Sequence, residues 1–215
     1  MNGITAIQNN PMKLRRKLEN ILERQRKAFL EEAIVTAEVR ISRIDRAIGL
    51  LQEYGTKFCE TLMEDFGSRS IHQSRQIDID GSIFALSYAK EHLHEWMHPE
   101  ECQTMFNFHD LGARATVHYQ PRGVVGCISP WNFPVQLTFG PLAGIFSAGN
   151  RVMIKPSENT PATSQLMKEI FIKCYDLEEV AVVTGGAEVG EIFSSLPFDH
   201  LLFTGSASIG KRVMR

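Results

Sequence analysis

Through the first hundred residues apolar positions recur three and four apart: Leu14, Leu18, Ile21 and Leu22, then Ile41, Ile44, Ile48 and Leu51. That period marks amphipathic α-helix. Proline is absent between Pro11 and Pro99, and Gly55, Gly67 and Gly81 offer helix ends. The pattern predicts helices over 11–30, 31–54, 56–66 and 75–97. After Glu100 the texture changes. Ala115–Gln120 and Gly123–Ser129 read as short strands parted by Pro121-Arg122. Helices over 134–147, 161–175 and 187–195 then alternate with the apolar runs Arg151–Ile154, Val180–Val183 and His200–Phe203, and a last helix opens near Ser206. Short apolar strands alternating with helices predict parallel βαβ units, hence an α/β fold with an open parallel sheet behind an N-terminal helical region. The last helix reaches Arg215 with no stop signal, and about four strands are few for a doubly wound sheet. The expectation is therefore an N-terminal fragment of a longer polypeptide.

Composition excludes several classes. Of 215 residues, 43% are hydrophobic and 22% charged, with a net charge of −2, as in a soluble globular chain. No basic field draws it to nucleic acid or an anionic membrane. The N-terminus lacks a signal peptide's apolar stretch and no apolar run can span a bilayer, so a soluble cytoplasmic protein is expected. Cys59, Cys102, Cys127 and Cys174 are scattered, giving neither a disulfide framework nor a zinc pattern. His94 and His98, with His92 nearby, have no third ligand in register, so no metal is expected. The basic run Lys13–Lys17 is offset by Glu19 and Glu23 and reads as a solvated helix face.

Candidate chemistry gathers after the strands, at the sheet edge where ligands bind in open parallel sheets. In Pro130-Trp131-Asn132-Phe133-Pro134 two prolines fix the chain around an amide that can donate to a developing oxyanion. The same residues also fit an Asx-turn. Past the next strand, Lys155 supplies a cation and Glu158 can accept from vicinal hydroxyls. The alternative is a surface loop in which Ser157 or Thr160 caps the helix opening at Pro161. Phe203-Thr204-Gly205-Ser206 passes from strand to helix and offers bare N–H groups to a phosphate, although it is neither G-x-G-x-x-G nor a P-loop. Thr184-Gly185-Gly186 is similar in kind.

Taken in order, PRGVVGCISPWNFP, GPLAGIFSAGNRVMIKPSENTP, VVTGGAEVG and FDHLLFTGSASIG resemble the aldehyde dehydrogenase superfamily. The helical half, with IDRAIGLL, EDFGSRS and IDGSI, resembles bacterial coniferyl aldehyde dehydrogenases in particular. The resemblance implies a partial aldehyde dehydrogenase fold with a Rossmann-like sheet. Its implied parts are N-terminal helices of the NAD(P)-binding domain over 1–102, an oligomerisation hairpin over 103–121 and a cofactor-binding core over 122–215. It implies oxidation of an aldehyde to the carboxylic acid with NAD or NADP, and a homodimer for the full-length protein. Asn132 would stabilise the oxyanion, and Lys155 and Glu158 would hold the adenosine ribose, with Ser157 beside them. Ser129, Pro130 and Trp131 would line the cofactor cleft, Gly185 would pack near the adenine, and Phe203, Thr204, Gly205 and Ser206 near the pyrophosphate. Ala207 stands where the family usually has threonine. The family's nucleophilic cysteine and glutamate base follow the last of these turns, and neither Cys127 nor Cys174 matches the nucleophile. The chain alone is thus expected to be inactive. The alternative is a truncated, non-catalytic NAD(H)-binding module or partner subunit.

Overall fold

The structure, a computed structural model, describes residues 10–104 and 110–215. The start of the expected 1–102 unit and part of the expected 103–121 hairpin lie outside the described residues. Helix α1 (Pro11–Glu32) opens on Asn10, whose side chain accepts from the Met12 and Lys13 N–H groups, with proline at its first position. It runs past the expected end, and Ala33, with φ 56°, begins the turn. The basic run Lys13–Lys17 lies on its solvent side, where Arg15 bonds Glu19.

Helix α2 (Ala37–Phe66) is continuous for 30 residues, so the expected break at Gly55 does not occur. Gly55 is buried, and a Cβ there would lie 2.9 Å from an Arg75 guanidinium nitrogen and 3.1 Å from an Ile79 methyl. The glycine admits the next helical segment instead of ending its own. Gly67 does terminate α2, in the left-handed region. The following helical stretch comprises α3 (Ile71–Gln73), a π-helical segment Ser74–Asp80 and α4 (Gly81–Met97), so Gly81 marks a change of helical pitch and not a break. A ribbon of β1 (Glu100–Cys102) and β2 (Ala115–Val117) follows, antiparallel with Glu100 opposite Val117.

The sheet consists of β3 (Val124–Ile128), β4 (Arg151–Lys155), β5 (Val180–Val182) and β6 (His200–Phe203), all parallel, in the order β5-β4-β3-β6. Helices α5 (Gln136–Ser147), α6 (Pro161–Cys174) and α7 (Ala187–Ser194) connect the strands, and α8 (Ala207–Val213) follows β6. Alternate strand residues serve two cores. Val125, Cys127, Val152, Ile154 and Val180 pack with α2, α4, α5 and α6. Val124, Met153, Ala181 and Val183 pack with Leu18 and Leu22 of α1 and Val189 and Phe193 of α7. Burial on both faces explains why these strands read as continuous apolar runs.

The amino ends of the strands are tied by buried charges. Arg43, its side chain 2% exposed, donates to Glu32 and Glu179, Arg46 to Glu179, and Arg151 to Glu32. Burial works against ionisation of Glu179, but the bonds and charges of Arg46 and Arg43 outweigh it and hold the carboxyl below the usual range. A carboxyl whose pKa is lower folded than unfolded contributes stability above its unfolded value, about 4.3, and loses it as pH falls through the folded value. We expect Glu179→Gln to cost ~3 kcal/mol at pH 7 and to flatten the loss of stability below pH ~4.5. Urea unfolding of the 215-residue chain from pH 7 to pH 3 tests this; parallel pH profiles for both proteins would remove Glu179 from that role.

Candidate active site

Strand order decides where a crevice opens. β3, β4 and β5 step across the sheet in one direction, and the chain then returns through α7 to set β6 on the other side of β3. At such a reversal the flanking helices take opposite faces and leave a crevice outside the carboxyl ends of the two strands. Here α5 covers one face and α7 the other. A cleft of ≈ 660 Å³ lies at that point, walled by Ser129, Pro130 and Trp131 after β3, Lys155, Ser157 and Glu158 after β4, and Phe203, Thr204, Gly205 and Ser206 after β6. A smaller cleft of ≈ 280 Å³ shares Ser157 and Glu158 and adds Thr184, Gly185 and Gly186 after β5. A larger cleft of ≈ 1000 Å³ lies elsewhere, between α4, the β1–β2 ribbon and the C-terminal end of α5, and holds none of the residues singled out after the strands.

Lys155 is only 3% exposed. Its Nζ donates to the Pro156 carbonyl at 3.0 Å and to Glu158 Oε2 at 2.9 Å. An ammonium has three donors and a carboxylate two acceptor oxygens. Among the described residues, one Nζ–H and Glu158 Oε1 make no bond. Burial opposes ionisation of Glu158, but the Lys155 bond, a backbone N–H and the Lys155 charge together hold the carboxyl below the usual range. A free donor beside a free acceptor suits a vicinal diol.

Neither Ser157 nor Thr160 caps α6. Asp65, reaching across from α2, accepts from the Ala162 and Thr163 N–H groups, each at 2.9 Å. Ser157 instead closes its own turn, its Oγ accepting from Asn159 N–H and its carbonyl from Ser164 Oγ. At β6, Thr204 N–H continues the strand pairing by donating to the Ile128 carbonyl, and Ser206 Oγ accepts from Ile209 N–H to cap α8. A Cβ at Gly205 would lie 2.5 Å from the Phe203 ring, so glycine lets that ring fold back over the turn.

Asn132 is exposed beside Trp131 but does not itself wall the ≈ 660 Å³ cleft. The Asx-turn is not what holds it: among the described residues its side chain makes no hydrogen bond. Its backbone carbonyl instead accepts from Arg69 at 2.5 Å. The same guanidinium donates to Asp78 at 2.7 Å and lies 4.8 Å over the Phe66 ring and 4.7 Å over Phe133. The other Asp78 oxygen accepts from the Val135 and Gln136 N–H groups where α5 begins. The Arg69 and Asp78 side chains are 6% and 0% exposed. Burial pushes the Asp78 carboxyl above the usual range, and the Gln136 bond, the Arg69 charge and the Val135 bond offset part of that. Sequence reading gave this pair no role. Arg69 lies in EDFGSRS, quoted for its resemblance, and Asp78 immediately precedes IDGSI, but their partners are distant along the chain.

Residues 5–215 match the sequence profile of the Aldehyde dehydrogenase family. The chain belongs to that family. It is 53% identical over 199 residues to a probable coniferyl aldehyde dehydrogenase of Caulobacter vibrioides, covering 92% of this chain and 41% of that protein. It is 49% identical to the coniferyl aldehyde dehydrogenase of Pseudomonas sp. HR199, covering 93% and 40%. Among solved structures, the indole-3-acetaldehyde dehydrogenase AldA of P. syringae, a mutant in complex with NAD+ and IAA, superposes with a TM-score of 0.79 at 27% identity, over 93% of this chain and 40% of that one. The chain thus spans about two fifths of the length of the curated relatives it matches. The partial aldehyde dehydrogenase fold expected from the strand-end motifs is the fold found.

The cysteines of this aldehyde dehydrogenase family member differ in surroundings. Cys127 is fully buried on β3, and burial pushes its thiol up to about 12. Burial also raises Cys59 and Cys174, whereas Cys102 is exposed on β1. Among the described residues no group of three or more His, Cys, Asp or Glu stands where it could hold a metal ion, and no helix is long and apolar enough to cross a membrane. Iodoacetamide at pH 8 should label Cys102 within minutes and leave Cys59 and Cys127 unmodified until the chain is unfolded, because the thiolate is the reactive form. Peptide mapping by mass spectrometry checks this, and early labelling of Cys127 would contradict its burial.

Proposed function

We propose that this chain is the cofactor-binding part of an aldehyde dehydrogenase that oxidises an aldehyde to its carboxylic acid with NAD+ or NADP+. The observation that carries the reading is the convergence of Ser129–Trp131, Lys155–Glu158 and Phe203–Ser206 on one cleft at the reversal of strand order. The cofactor, when bound, accepts the hydride. The residues present fit it. Lys155 and Glu158 offer a donor and an acceptor to ribose hydroxyls, and Ser157 and Gly185 border the adjoining cleft, which suits the adenine end. The turn Phe203–Ser206 stands where the pyrophosphate would lie. Asn132 supplies an amide donor to the oxyanion that forms on the substrate carbonyl.

The names of two relatives support an aromatic, unsaturated aldehyde such as coniferyl aldehyde as the substrate of the whole enzyme. We further place the enzyme in the bacterial cytoplasm as a homodimer, with β2 belonging to an oligomerisation hairpin over 103–121.

An ionised Glu158 repels a 2′-phosphate and so favours NAD over NADP. Calorimetric titration of the chain with NADH and NADPH should give a preference for NADH, and Glu158→Gln should narrow it by about tenfold. Equal affinities in the parent chain would remove that role from Glu158, and binding of neither would remove the cofactor reading. In the active full-length enzyme, Asn132→Ala should lower kcat by about a hundredfold or more while leaving the cofactor KM unchanged.

A further inference from the structure

We infer that Arg69 and Asp78 are positioning residues for Asn132, fixing the loop that presents its amide to the oxyanion; this rests on the aldehyde dehydrogenase reading above. The loop has few means of holding itself. Pro130 and Pro134 lack N–H groups, and the Asn132 side chain is exposed and unbonded among the described residues. What fixes Asn132 therefore acts on its backbone and neighbours. Upstream, Ser129 N–H donates to the Lys155 carbonyl at 3.1 Å. At Asn132 itself the carbonyl accepts from Arg69, and immediately downstream Val135 and Gln136 donate to Asp78. The Arg69 guanidinium lies over both the Phe133 and the Phe66 rings. Phe66 in turn lies 6.2 Å from the Trp131 ring. One ion pair thus contacts the residue, its successor and the first turn of α5.

The local backbone is shaped to bring the pair there. Gly67, left-handed at φ 74°, ends α2 and folds the chain back so that Arg69 returns over Phe66. The π-helical segment Ser74–Asp80 carries Asp78 against the start of α5, and π segments of this kind recur at functional sites. The cost of placing two charges in a dry interior makes little sense as stabilisation alone, because apolar replacements are often as stable. It does make sense as a constraint on geometry. Displacing a reacting group by about 1 Å can cost about a hundredfold in rate.

The test compares Asn132→Ala, Arg69→Lys and the pair Arg69→Met/Asp78→Asn, which removes the guanidinium without stranding a buried carboxylate, in the active full-length enzyme. Arg69→Met/Asp78→Asn should lower kcat by about 10- to 100-fold with cofactor KM within about twofold. Added to Asn132→Ala it should lower kcat no further, because the pair acts through that amide. Arg69→Lys keeps the charge without the fork and should be intermediate; it carries the comparison if the double substitution fails to fold. In the 215-residue chain, Arg69→Lys should speed amide exchange at Val135 and Gln136 and increase quenching of Trp131 fluorescence. If Asn132→Ala slows turnover but the Arg69 and Asp78 substitutions do not, the positioning role is overturned and the oxyanion reading stands. Losses that multiply in the triple variant would likewise overturn it. Normal turnover in Asn132→Ala would overturn the oxyanion reading, and the inference with it.

Discussion

β3 is paired in parallel on both sides and covered by helices on both faces, so its side chains can do little but pack. A strand in that position must satisfy every backbone group through its neighbours and fill two cores at once. Gly126 shows how tight this is: a Cβ there would lie 2.6 Å from the Phe198 ring and 2.7 Å from a Leu201 methyl. Polar chemistry is driven to the end of the strand, where the chain leaves the sheet. Because β6 pairs on one side of β3 and β4 on the other, the ends of all three strands meet around one crevice. The cleft follows from this pairing, and the residues on its walls are the first ones free of the sheet.

That geometry explains why the rim of the sheet is legible in the sequence. The strand-end turns are local in sequence, and each carries its own glycine, proline or polar signal, so their placement on one rim followed from the alternation of strands and helices. The break expected at Gly55 failed because a glycine's helix penalty, about 1 kcal/mol, is small beside what close packing returns. Whether Arg75 and Ile79 lie against Gly55 is a tertiary fact that no local pattern encodes. The cap of α6 failed similarly, since Asp65 acts across a separation of 97 residues and displaces the local candidates Ser157 and Thr160. Arg69 and Asp78 were invisible as a functional pair for the same reason: their loop contacts span 63 and 57 residues. Their chemistry is ordinary, and only the fold makes it specific.

The two ends of the sheet handle buried charge differently. At the amino ends, Arg43, Arg46 and Arg151 share Glu32 and Glu179, and the carboxyl of Glu179 ends up below its usual range despite burial. There the donors over-compensate, and the cluster favours the folded state at neutral pH. At Asp78 the balance is reversed: one guanidinium and two backbone N–H groups do not recover what burial costs, and the carboxyl lies above its usual range. A fold selected for stability alone has a cheaper solution at hand in a neutral side chain that accepts the same two N–H bonds. The carboxylate does what the neutral side chain cannot. It holds Arg69 in place by charge, and Arg69 in turn holds the Asn132 carbonyl and the Phe133 ring. Perturbed groups gather where function needs them. The partly compensated carboxylate lies against the loop that carries Asn132, whereas the well-compensated cluster lies at the other end of the sheet.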